Sequence, residues 1–117
     1  KRFDPDQLNW FADQLKANMP VFLFFHHPVQ SDNFKIWGKP KDLATPENED
    51  KFFAILAKYK SNIKGIFVGH GHMWISDTLF NTIPIYETAS FGEGRGLNFY
   101  RVSVDESGKV NVEKNSK

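Results

Sequence analysis

Two short apolar runs, each ending in a pair of histidines, constrain this chain more than any other feature. Val21-Phe22-Leu23-Phe24-Phe25 is bounded by Pro20 and Pro28 and ends in His26-His27; Ile66-Phe67-Val68 runs into Gly69-His70-Gly71-His72. Runs this short and this apolar, set between punctuating residues, predict fully buried strands rather than helices. Between them lies a well-signalled helix. Thr45 caps it, Pro46 opens it, and Glu47, Glu49 and Asp50 place negative charge in the first turn, where the helix dipole favours it. Phe52, Ile55, Leu56 and Tyr59 form one apolar stripe, and Lys58 and Lys60 sit at the far end. Strand, helix, strand predicts a right-handed crossover and a parallel pair. Both histidine clusters then leave the sheet at one edge, outside the carboxyl ends of the strands, where open α/β sheets bind ligands.

The flanking sequence is simpler. Residues 4–17 predict a helix: Asp4 is the N-cap, Pro5 the first helical residue, and Gln7 stands at the capping-box position. Leu8, Phe11, Ala12 and Leu15 share a face, and Asn18-Met19-Pro20 stops the helix. Residues 29–44 have no periodicity, and a connection that long is either functional or without fixed structure. After His72, strands are expected at Ile75–Phe80, Ile83–Glu87, Leu97–Val104 and Lys109–Val112, antiparallel and closely connected, with turns at Asn81-Thr82 and Ser107-Gly108. The expectation is an α/β fold with helices layered on a mixed sheet and no separate linker.

Composition narrows the function classes. A length of 117 residues suits one domain or half of a larger one, and 40% hydrophobic with 25% charged residues is the profile of a soluble globular chain. Twelve Phe, three Trp and three Tyr require a substantial core or a partner surface. The net charge of +1 has no basic block behind it, so charge gives no nucleic-acid signal. Cysteine is absent, which excludes disulfides and thiolate metal sites and leaves the compartment open. No run approaches the roughly 20 apolar residues of a membrane helix. The chain begins Lys1-Arg2 without a signal-peptide pattern, so the expectation is an excised or processed piece, with any targeting segment upstream.

All four histidines fall in the two strand-end clusters. Two histidines one residue apart, with a third from a neighbouring strand, suit a transition metal bound through neutral imidazole. His26, His70 and His72 are the expected ligands. Gly69 and Gly71 are expected to let the backbone turn sharply and bring the imidazoles together.

The segment Phe25-His26-His27-Pro28, followed after a helix by Val68-Gly69-His70-Gly71-His72, resembles the last two motifs of the calcineurin-like metallophosphoesterases, His-x-Pro and Gly-His-x-His. By order of elements the resemblance covers about residues 5–100. It implies the C-terminal half of a four-layer α/β/β/α sandwich, with a mixed sheet and two flanking helices. It also implies a phosphomonoester or phosphodiester substrate and two divalent or trivalent transition metal ions (Mn, Fe or Zn). His26 and His70 would ligate one ion and His72 the other. His27, the middle residue of His-x-Pro, would support the metal ligands or face the substrate rather than bind an ion itself. The family's Asp-x-His, Gly-Asp and Gly-Asn-His motifs do not occur here, so the N-terminal half of the domain is the expected missing partner. By itself the chain is expected to hold at most one weakly bound ion and to be inactive. A degenerate, non-catalytic module with a structural metal or none is the alternative. A third reading, histidine as phosphate acceptor or general base, lacks an orienting carboxylate at suitable spacing.

Two further residues have both a functional and a bland reading. Arg95, in Gly92-Glu93-Gly94-Arg95-Gly96, either meets a substrate phosphate or belongs to a flexible hairpin loop. Trp37 either covers the site or packs under a long loop. A sheet deprived of its other half leaves apolar surface exposed, which predicts self-association.

Overall fold

The computed structural model describes residues 4–34, 46–92 and 97–116, with side chains from Asp50 onward in the second of these segments. Trp37, Arg95 and the Thr45 cap lie outside the described residues. Among the described residues, two helices and six strands follow in the order α1 (Pro5–Leu15), β1 (Val21–Phe24), α2 (Pro46–Lys58), β2 (Ile63–Val68), β3 (Ile75–Leu79), β4 (Ile83–Glu87), β5 (Asn98–Val104) and β6 (Val110–Ser116). Asp4 caps α1 through its carboxylate, which accepts the Asp6 N–H at 2.7 Å. Neither described helix is long and apolar enough to cross a membrane.

The first four strands form one mixed sheet in the order β1-β2-β4-β3. β1, β2 and β4 are mutually parallel, and β3 lies antiparallel on the far edge of β4. Strand order departs from the sequence expectation here. β4 does not simply extend an antiparallel meander; it inserts between β2 and β3. Pro84 is tolerated in this inner strand because the β2–β4 ladder begins only at Ile66↔Ile85, beyond it. β5 and β6 pair as a separate antiparallel hairpin from Asn98↔Ser116 to Val104↔Val110.

Register sorts the side chains onto two faces. Leu23, Ile66 and Ile85 are neighbours across three strands, and Ile85 pairs in turn with Asp77 of β3. This face packs on the helices. Leu56, Ile66, Ile83 and Ile85 are completely buried, with Leu8, Leu15, Phe34 and Phe52 in the same core. Each such side chain contributes roughly 1.5–3 kcal/mol by leaving water. Phe52, from the predicted α2 stripe, stacks on Phe11 at 5.7 Å and meets Phe25 edge-on at 5.9 Å.

The opposite face is aromatic. Phe67 stands at its centre, with Phe24 at 5.1 Å, Tyr86 at 5.2 Å, Phe22 at 6.3 Å and Tyr100 of the hairpin at 6.3 Å. Tyr100 also contacts Tyr86 and Trp74, each at 5.1 Å, and ties the hairpin to the sheet. This face is only partly covered, and Phe24 is 73% exposed. β1 was expected to be buried on both sides. It is instead an edge strand covered on one face, because the helices pack on the other face from Phe22 and Phe24.

Candidate metal centre

The parallel strands deliver their carboxyl ends to one place. His26 and His27 follow β1, Gly69 to His72 follow β2, and Glu87 ends β4. Hydrogen bonding continues past the strands into the site. Phe25 N–H donates to the Phe67 carbonyl at 3.1 Å, and Gly69 N–H donates to the His26 carbonyl at 2.9 Å. The two histidine segments are therefore held in register by main chain as well as by packing.

Three imidazoles converge. The ring centroids of His26 and His27 are 4.7 Å apart, those of His26 and His70 5.3 Å, and those of His27 and His70 4.4 Å. One nitrogen from each lies within 4.8 Å of the other two. A common ion at about 2.1 Å from each nitrogen needs separations of at most about 4.2 Å. The rings therefore need to close by no more than about half an ångström at any pair, and His26 and His70 are exposed.

His27 is half-buried, and its Nδ1 has no hydrogen-bond partner among the described residues. Burial first, then the positive fields of His70 and His26, lower its pKa. A neutral imidazole with an unused buried nitrogen is the form and the geometry that a metal accepts. Three imidazole nitrogens brought this close suit Zn²⁺ or another borderline transition ion.

Sequence reasoning gave His27 a supporting place and named His26, His70 and His72. The structure brings together His26, His27 and His70. His72 is exposed on the same turn and is not part of the converging set. The turn itself also differs from expectation. Its left-handed conformation falls on the histidines, with φ of 80° at His70 and 56° at His72, while positive φ among described glycines is confined to Gly92 and Gly108. A non-glycine residue held there costs on the order of 1–3 kcal/mol, so the surroundings must over-determine it. A Cβ at Gly69 would stand 3.6 Å from His26 Nδ1, an ordinary contact, so closeness does not require glycine there either.

Glu87 is the group that the motifs did not reveal. It is 0% exposed, and its Oε1 accepts the Gly71 N–H, with the His72 N–H also directed at the carboxylate. Burial raises its pKa, opposed by those amides and by the proximity of His70 and His72. The available signal was a carboxylate closing an otherwise apolar strand, which is informative only once β4 is known to lie beside β2.

On the other side of the site, Asp77 of β3 anchors the segment that follows the His26-His27 pair. Its carboxylate accepts Asn33 N–H at 2.9 Å and Thr78 N–H at 2.7 Å, while Asn33 Nδ2 donates to the Ser76 carbonyl at 2.7 Å. No protein-family model and no curated protein matches the sequence.

Proposed function

We propose that this chain supplies the histidine wall of a metal-dependent phosphoesterase site of the calcineurin-like kind. In this reading the domain is a four-layer α/β/β/α sandwich, and the remaining ligands come from sequence outside these 117 residues. The observation that supports it is the meeting of His26, His27 and His70 at adjacent parallel strand ends, within a His-x-Pro and a Gly-His-x-His segment. His26, His27 and His70 hold an ion, and His72 on the same turn serves a second ion in the complete site. A bound divalent ion supplies Lewis-acid polarisation of a phosphoryl oxygen and lowers the pKa of coordinated water. The chain's own part is to hold neutral imidazoles in fixed relation and to keep one side of the cluster open to a phosphate ester.

The test is a pair of titrations on the purified chain. Zn²⁺ added to the metal-free protein is expected to bind at one ion per chain by calorimetry. Inorganic phosphate is then expected to bind the Zn²⁺-loaded chain and not the metal-free one, with no turnover of a model phosphodiester. Absence of stoichiometric Zn²⁺ binding removes the reading. Zn²⁺ binding without phosphate binding replaces it with a non-catalytic module holding a structural metal.

A further inference from the structure

A buried carboxylate needs a reason. Leu or Ile at position 87 would fill the same place in the sheet without desolvating a polar group. Glu87 is fixed on both sides, paired with Val68 of β2 and with Ile75 of β3. Its own carbonyl accepts the Tyr100 hydroxyl at 3.3 Å. From this position its side chain reaches the turn after β2, where an apolar residue has nothing to offer. The turn presents the Gly71 and His72 amides inward while His70 and His72 sit in left-handed backbone conformations. Inward amides and left-handed histidines are two views of one device: the backbone is wrapped around an acceptor. The second oxygen, Oε2, is buried without a hydrogen-bond partner among the described residues, so the carboxylate is not there to complete a separate polar network. Glu87 is also absent from the converging ligand set.

We propose that Glu87 is the positioning residue of the trihistidine cluster. Its carboxylate holds the turn from Gly69 to His72 through the Gly71 and His72 amides and thereby fixes His70 opposite His26 and His27. The consequence for metal affinity rests on the metal-centre reading above; the clamp on the turn does not. Groups surrounding metal ligands in this way typically change affinity 10- to 100-fold when removed.

Three variants separate acceptor, charge and volume. Glu87→Gln keeps an acceptor oxygen and loses the charge. Glu87→Met keeps the length and loses the acceptor. Glu87→Asp keeps the charge and withdraws the acceptor by one methylene, and it serves if the Met variant does not fold. Two measurements apply to each: Zn²⁺ affinity by calorimetry, and, without metal, amide exchange at Gly71 and His72 with ring-to-ring NOEs between His27 and His70. Glu87→Gln is expected to stay within about threefold of the parent affinity and to retain both protected amides and the NOEs. Glu87→Met and Glu87→Asp are expected to lose at least tenfold in affinity, to exchange both amides faster, and to lose the NOEs. Unchanged exchange and NOEs in a folded Met or Asp variant overturn the clamp. Faster exchange with unchanged Zn²⁺ affinity reduces Glu87 to a structural group and overturns its positioning role. Failure of the parent chain to bind Zn²⁺ removes the metal reading alone, and the metal-free NMR readouts still decide the clamp.

Discussion

The carbonyl of His26 accepts the Gly69 N–H at 2.9 Å, two positions beyond the last paired residues of β1 and β2. The sheet ladder therefore reaches into the site. Displacement of either histidine segment is resisted by the same hydrogen bonding that holds the strands.

This geometry separates His27 from His72. His27→Ala is expected to lower the affinity for the first Zn²⁺ at least tenfold, and His72→Ala to change it by less than threefold. Calorimetric titration of both variants under one buffer decides the matter. Equal losses would place His72 among the primary ligands.

Asp77 gives a pH dependence with a definite sign. Burial pushes its pKa up, but several hydrogen bonds to the carboxylate, led by the Asn33 N–H, together outweigh burial and leave it below the ordinary value. A depressed carboxylate stabilises the folded state above the unfolded pKa of about 3.9, and that contribution is lost as pH falls through the lower, folded value. Asp77→Ala is expected to cost about 1–3 kcal/mol at neutral pH. Urea denaturation of parent and variant should begin to converge as pH falls below about 4 and converge fully only below the lowered, folded value; a gap that persists below that value would show that packing, not charge, is lost.

Phe67 is the hub of the open face, touching Phe22, Phe24, Tyr86 and Tyr100. Phe67→Ala is expected to destabilise the chain by about 2–4 kcal/mol, somewhat below a fully buried phenylalanine because the face is partly wet. The hairpin should loosen with it, seen as faster amide exchange across β5 and β6. Loss of stability with the hairpin fully protected would mean that Tyr100 is held by other contacts.

The same face predicts association. Among the described residues β1 is an edge strand, and Phe24 beside its neighbour Phe22 presents apolar surface along that edge. Sedimentation of the parent chain is expected to show concentration-dependent self-association, with Phe24→Lys monomeric at the same concentration. A parent chain that is monomeric throughout refutes this.

Much of the fold was legible because its signals are local. Asp4 and Pro5 start α1 where the sequence places them, and β4 spans Ile83–Glu87 as expected. The Phe52, Ile55, Leu56 and Tyr59 stripe lies on the core or against it. Strand order was not legible, because Ile83–Glu87 alternates in the same way whether its neighbour is parallel or antiparallel. Glu87 was hidden for the same reason: its meaning comes from the turn after β2, not from its sequence neighbours. His27 joins His26 and His70 in the converging set, a meeting that residue spacing alone does not show.

The parallel pairing of β1 with β2 has a kinetic consequence. Between the two histidine segments lie a long connection and all of α2, so their meeting requires closure of a large loop. α1, α2 and the β5–β6 hairpin are built from near neighbours and can form early. The trihistidine cluster exists only after the crossover has closed. A rapid-mixing experiment that follows Zn²⁺ uptake during refolding would therefore clock topology rather than chemistry, with helix signals rising before the metal is captured.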